Sequence, residues 1–345
     1  MLEGVKVIDT SRLLPGGFCS MILQELGAEV IKVEEPGVGD YMRLAPPFVK
    51  GSSLFHRIIN KNKKSIAINL KKDKGREILG RLISDSDVFI EGFRPGVMRK
   101  LGFSFEDVKL INDRIVYCSI SGFGHKSKLS RIPGHDLTFE AFSGLLSFSN
   151  TIPAVQLADI SAGFYAAIGI LASLAGGKRG VHIDVPIVQS LFSTMILPLA
   201  LALADTKDEM LLGSDWFYSL YRTSDQKLIA IATIEDKFRK NLLRLLGVEG
   251  SRDALAKIFA SAGRDEWMKR LMSKEVCFAP VLSVDEAIKM GYVKADSMGN
   301  MQFPLKQTIE KGSAPSIGEN TSEILASLGY NRSEINELKQ NGVVE

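Results

Sequence analysis

The chain has only four histidines, at positions 56, 125, 135 and 182, so each is a candidate for acid–base or metal chemistry. His135 stands in "RIPGHDLTFE" (131–140), between Gly134 and Asp136 and ahead of an apolar run. An imidazole changes charge near neutral pH, which suits a base. No second histidine lies at metal-ligand spacing, which argues against zinc. A plain loop residue is the remaining reading. Acid–base work needs a group that orients the ring, and two acids are candidates. Glu235 follows the apolar strand "LIAIATI", where the chain turns into a helix. Asp159 ends "VQLAD", at the start of a long helix. Each has a simpler reading, Asp159 as a helix N-cap and Glu235 as a first-turn helix charge. Spacing alone does not bring the three together.

Two other stretches bear on binding. "LLPGG" follows a strand and opens a helix, and Glu34 closes the next strand. A dinucleotide site would put GxGxxG and an acid at these places. The glycine pattern is absent, which argues against a nicotinamide cofactor and leaves Pro15–Gly16–Gly17 as a tight turn. The basic run "NKNKKSIAINLKK" (60–72) is either a solvated face or a set of point charges for phosphates.

The elements that must position these residues alternate. Strands at 5–9, 29–34, 65–70, 87–92 and 114–120 are separated by helices near 18–27, 73–84 and 105–112. That alternation predicts a parallel sheet covered on both faces, with ligands beyond the carboxyl ends of the strands. From 136 to 176 the pattern is helical, with Asp159 expected at an N-cap, and 181–187 is a further strand. A change comes near 215. Two strands joined at "SDQK" and amphipathic helices at 235–247, 251–261 and 264–273 predict a separate α+β domain. The end of the chain is again helical.

Bulk properties exclude several classes. The 345 residues are 45% hydrophobic and 24% charged, with a net charge of +3, so no basic face for nucleic acid is evident. Cys19, Cys118 and Cys277 are odd in number, far apart and without CxxC, which predicts free thiols in a reducing, cytoplasmic setting. The first residues read as a strand and not as a signal peptide. The apolar stretch 193–204 is broken by Pro198 and is too short to span a bilayer, so no membrane span is expected.

Several blocks, in order, are similar to those of one family. They are "LEGVKVIDTSRLLPGGFCSMILQELGAEVIKVEEPGVGD", "IEGFRPGVMRKLGFSFEDV", "NDRIVYCSISGFG", "FAPVLSVDEAI" and "IGENTSEILASLGY". The chain resembles the alpha-methylacyl-CoA racemases, within the family III CoA-transferase (CaiB/BaiF-like) superfamily. The resemblance implies an interlocked homodimer. Each chain would have a large Rossmann-like α/β domain over 1–190, completed by about 325–345, and a small α+β domain over 215–300. Linkers would run over 191–214 and 301–324. The implied activity is interconversion of (R)- and (S)-2-methylacyl-CoA thioesters by 1,1-proton transfer through an enolate. The alternative is CoA transfer to a carboxylic acid through an anhydride on Asp159.

By the same resemblance, His135 in "PGHD" and Asp159 in "LADISAG" would flank the α-carbon. Glu235 in "IATIEDKF" of the partner chain would orient His135. Gly134 and Asp136, the latter by its backbone N–H, would hold the enolate oxygen. Leu70, Lys71 and Lys100 would contact coenzyme A. Glu35 stands where some relatives have an arginine toward the adenosine phosphates, which points to Arg43, Lys61 or Lys63 as substitutes. No metal or separate cofactor is implied, since coenzyme A is part of the substrate. Trp216, Phe217, Tyr218 and Met195 are candidates for an apolar path for the acyl chain.

Overall fold

The computed structural model describes residues 1–148, 151–177, 179–206 and 210–345. They form two compact units, Met1–Pro198 with Ala295–Glu345, and Leu199–Lys294. In the first unit six strands make one parallel sheet. They are β1 Lys6–Asp9, β2 Glu29–Glu34, β3 Lys64–Ala67, β4 Val88–Glu91, β5 Val116–Ser121 and β6 Val181–Pro186. Their order is β3-β2-β1-β4-β5-β6, with Val7 paired to Val30 on one side and Val88 on the other. Every residue of β4 and β5 is buried, the mark of strands covered on both faces. The order reverses between β1 and β4, and crevices in such sheets open there, beyond the strand ends.

The first helix, Leu14–Glu25, begins earlier than the sequence pattern predicts, and takes in Pro15–Gly16–Gly17. Proline fits a first helical turn, because its missing N–H would have had no intrahelical partner. Gly16 is forced by close approach, since a Cβ there would lie 2.1 Å from Ser11 Oγ. Leu13, just ahead, holds φ at 66°, a left-handed conformation stored in the loop after β1.

Helix Leu157–Ala175 is capped by Gln156, so Asp159 is not the N-cap but sits within the first turn. The helix packs on Leu14–Glu25 through small residues, among them buried Ala158, Ala162 and Ala166. A Cβ on Gly163 would come within 2.9 Å of the Pro15 carbonyl. Among the described residues this helix, and not the 193–204 stretch, is the one long and apolar enough to cross a membrane, with a mean hydropathy of 1.6. Its buried small residues belong to the main core, beside Cys19 and Cys118, while Cys277 lies half-buried elsewhere.

Two lysines of the basic run 60–72 are buried and held internally, while Lys71 and Lys72 are exposed. Lys61 pairs with Glu25 at 2.7 Å, and Lys63 is buried on Ser20 Oγ at 2.7 Å and Asn60 Oδ1 at 3.0 Å. Lys32 bridges Asp40 at 2.9 Å and Asp9 at 3.5 Å, and Asp40 in turn accepts the Leu13 N–H at 3.0 Å. This network fixes the loop after β1.

The second unit has an antiparallel sheet of β7 Tyr218–Arg222, β8 Leu228–Ala232 and β9 Phe278–Pro280, in the order β9-β8-β7. Helices Asp236–Leu246, Arg252–Phe259 and Arg264–Leu271 cover it. Its core includes Phe217, Ile229, Leu255 and Trp267.

Candidate active site

A cavity of about 560 Å³ opens beyond the carboxyl ends of β1, β4 and β5. Arg12, Phe93, Gly134, His135, Thr138 and Asp159 are among the residues that line it. That size suits a small-molecule site. His135 and Asp159 come from different elements, and tertiary packing brings them to one space.

His135 is the N-cap of helix Asp136–Ser143. The Thr138 hydroxyl accepts the His135 N–H at 3.0 Å and donates to the His135 carbonyl at 2.7 Å, which clamps the backbone. Among the described residues no side chain hydrogen-bonds the imidazole, which is exposed. Gly134 is needed for the loop to close, since a Cβ there would lie 2.5 Å from the Phe139 ring. Gly122, just past β5, meets the same ring from the other direction, at 2.7 Å for an added Cβ. Phe139 therefore fixes the histidine loop against the sheet. Asp136 opens the helix, so its N–H belongs to the first turn, where amides lack intrahelical acceptors.

Asp159 is half-buried, and its own N–H donates to Asp136 Oδ1 at 3.0 Å. Burial pushes its carboxyl up to about 7, helped by the charges of Asp136 and then Glu140. Glu140, one helical turn beyond Asp136, is 1% exposed. Burial and then Asp136 push it to about 7 as well. A carboxyl near neutrality can both take and return a proton.

Glu235 lies in the second unit as the exposed N-cap of helix Asp236–Leu246, with no side-chain cap bond. It is therefore not a first-turn charge. Leu70 and Lys71 line a cavity of about 290 Å³ with Arg12, Glu35 and Phe93, so Arg12 and Phe93 border two cavities. Lys100 faces a third space, of about 780 Å³, with Arg94, Arg99, His125 and Arg131. Arg94 borders both this space and the cavity with Asp159.

Glu35 is paired with Arg12 at 2.9 Å and with Lys71 at 2.9 Å. The substitutes proposed for it do not reach these spaces. Arg43 is bound twice to Glu34, at 2.8 and 2.6 Å, and Lys61 and Lys63 are held internally. Phe217 and Met195 are core residues and line none of these cavities. Trp216 stacks on Phe217 with ring centroids 3.9 Å apart.

Sequence reading missed Arg12, Phe93, Thr138 and Glu140. Arg12 and Phe93 had a signal, since both follow strands at the point where ligands enter such sheets. Glu140 had a weaker one, an acid four residues after another acid on one helix face. Among the described residues no three His, Cys, Asp or Glu side chains are grouped to hold a metal.

The profile of CoA-transferase family III matches residues 2–315. Human alpha-methylacyl-CoA racemase is 30% identical, over 100% of this chain and 97% of its own length. Human succinyl-CoA:glutarate CoA-transferase is 31% identical, over 100% of this chain and 90% of its own length. The crystal structure of a CAIB/BAIF family protein from Brucella suis superimposes with a TM-score of 0.83 at 27% identity. It covers 95% of this chain and 99% of that one.

Proposed function

Because the chain belongs to CoA-transferase family III, we propose that it racemises 2-methylacyl-CoA thioesters, with Asp159 and His135 as the two proton-transfer groups. The observation that carries this reading is their meeting across one cavity, with the Asp159 carboxyl pushed up to about 7. Racemisation removes the α-proton on one face and returns a proton on the other, so it needs a group on each side. A base whose pKa lies near the working pH is both free to accept and able to give back. In the forward direction Asp159 takes the proton and the electron pair moves onto the thioester oxygen. His135 then protonates the carbon from the opposite face, and the roles exchange in reverse.

The enolate oxygen would be held by the first-turn N–H of Asp136, beside Gly134. Losing such a donor typically costs about 3–4 kcal/mol of barrier. Coenzyme A would run from this cavity past Arg12 and Phe93 toward Leu70 and Lys71, with Lys100 near its phosphates. Remote binding of that kind positions the reacting carbon. No metal or further cofactor enters these steps.

Glu235 would orient the His135 ring from the small domain of a second copy, in an interlocked homodimer. Exposed Phe164 and Ile168 on helix Leu157–Ala175 support a covered face there. Co-refolded His135→Ala and Glu235→Ala chains should then regain activity, and an active monomer in sedimentation would refute the arrangement. Free, buried Cys19 and Cys118 are in keeping with a reducing, cytoplasmic setting.

CoA transfer is the second reading, favoured by the 31% identity to a transferase and by the same Asp159. There the carboxylate attacks the thioester carbon, the C–S bond breaks and the CoA thiolate leaves. One enantiomer of a 2-methylacyl-CoA, incubated in D₂O without any acceptor acid, separates the two. Deuterium at the α-carbon is expected. Release of CoA with a hydroxylamine-trapped hydroxamate on Asp159, and no α-deuterium, would assign the transferase.

A further inference from the structure

Glu140 is buried to 1% exposure, and neither carboxyl oxygen makes a hydrogen bond of good geometry, with Asp136 and the Leu157 N–H as its nearest polar neighbours. A buried acid in that state is costly unless it keeps its proton or does something for a neighbour. Its neighbours are acids. Asp136 lies four residues earlier on the same helix, where like charges repel. Asp136 Oδ1 holds the Asp159 N–H at 3.0 Å, so the three carboxyls are gathered at one junction of two helices.

Among the described residues of the elements packed on them, no cation answers them. The elements packed most closely on helix Asp136–Ser143 are helix Leu157–Ala175, helix Ile187–Phe192 and the turn Leu145–Ser147. Their only titratable side chains are Asp159 and Tyr165, and none carries a lysine, arginine or histidine. On the helix itself Asp136 is the other titratable group, with His135 at its cap. Glu140 does not line the cavity, whereas Asp159 does.

We propose that Glu140 is a positioning residue for Asp159, a buried acid that keeps a proton within the Asp136–Glu140–Asp159 junction and so holds Asp159 protonatable at neutral pH. Three adjacent carboxyls without a counter-charge cannot all ionise together. A protonated Glu140 would satisfy itself by donating to Asp136. When the junction loses that proton, the added negative charge opposes ionisation of Asp159. Both groups are accordingly displaced upward to about 7. The function is tuning, and Glu140 touches no substrate. The proposal rests on the reading of Asp159 as a proton-transfer group, but its first test needs no turnover.

The test is a carboxyl ¹³C NMR titration of Asp159 in the wild type, Glu140→Gln and Glu140→Leu. Both substitutions remove the charge, and the leucine also removes the polar group. The Asp159 midpoint should fall by about one pH unit in each. The acid limb of α-proton exchange into a 2-methylacyl-CoA should move down with it. An Asp159 midpoint unchanged in whichever variant folds would overturn the proposal. A shifted midpoint with no exchange activity in any protein would instead overturn the racemase reading and leave the tuning intact.

Discussion

Two buried polar clusters in the first unit follow opposite rules. Behind the loop after β1, Asp9, Asp40, Lys32 and Lys63 form a network in which acids meet bases. Lys32 lies 2.9 Å from Asp40, and Ser20 Oγ donates to Asp9 at 2.6 Å. At the start of helix Leu157–Ala175, Asp136, Glu140 and Asp159 meet with no base among them. In the first cluster Lys32 and Asp40 keep their charges, although burial pulls Lys63 down to about 8. Burial would raise Asp40, but Lys32 and the N–H groups of Met42 and Leu13 hold it below its usual range. Burial would also lower Lys32, and Asp9 with Asp40 outweighs it. In the second cluster the same burial without the compensation pushes Glu140 and Asp159 up to about 7. A network of paired charges makes structure rigid, whereas acids without a base leave protons free to move.

The comparison breaks most sharply in the paired cluster. Lys32→Met leaves Asp9 and Asp40 buried without their base. It should cost about 3–5 kcal/mol of stability in urea unfolding. A loss near zero would mean that the network is not what holds the loop.

Asp159→Asn should do the reverse. α-Proton exchange should fall by about 10²–10⁴-fold, the range for a positioned acid–base group, while the fold survives. Single-turnover exchange from each enantiomer, beside a thermal melt, checks both halves.

The pH dependence of stability should carry opposite signs in the two clusters. Asp159 has a folded pKa raised from 3.8 to about 7. Its contribution is therefore fully present below its unfolded value and is lost as the pH rises through about 7. Asp40 is depressed, so its contribution is present above 3.8 and is lost as the pH falls through its lower folded value. Melting of Asp159→Asn should accordingly gain on the wild type between about pH 4 and pH 8. Parallel curves would remove the charge conflict.

The smallest effect is at Glu35, where the pairing rule meets the ligand path. Arg12 and Lys71 are both held by this one carboxylate. Glu35→Gln should free them and tighten coenzyme A by about two- to fivefold, since exposed pairs contribute up to about 1 kcal/mol. Calorimetry with free coenzyme A reads this, and a weaker affinity would show Glu35 to be a ligand contact in its own right.

Much of the fold was legible because it is local. Helix Asp73–Ser84 lies where its periodicity placed it, and β7 and β8 flank the turn at "SDQK". Both signals are complete within about a dozen residues. Ends were less legible. Leu14–Glu25 starts ahead of its apolar pattern because Gly16 packs on Ser11, a contact outside the helix. Gln156 took the cap expected of Asp159.

The sequence by itself determined the alternation that makes a parallel sheet, the family blocks, and the presence of one histidine and one acid of the right kinds. It could not say that His135 and Asp159 share a cavity, since 23 intervening residues and two helix starts separate them. Nor could it say which lysines are spent, because Lys61 and Lys63 read as either a solvated face or phosphate contacts, and packing against Glu25 and Ser20 buried them. Glu140 is the clearest case. An acid on a helix is ordinarily a surface charge, and only tertiary packing sealed this one beside two others and gave it a proton to keep. Period and propensity act between near neighbours in the chain, but desolvation and charge coupling depend on what the fold brings together in space.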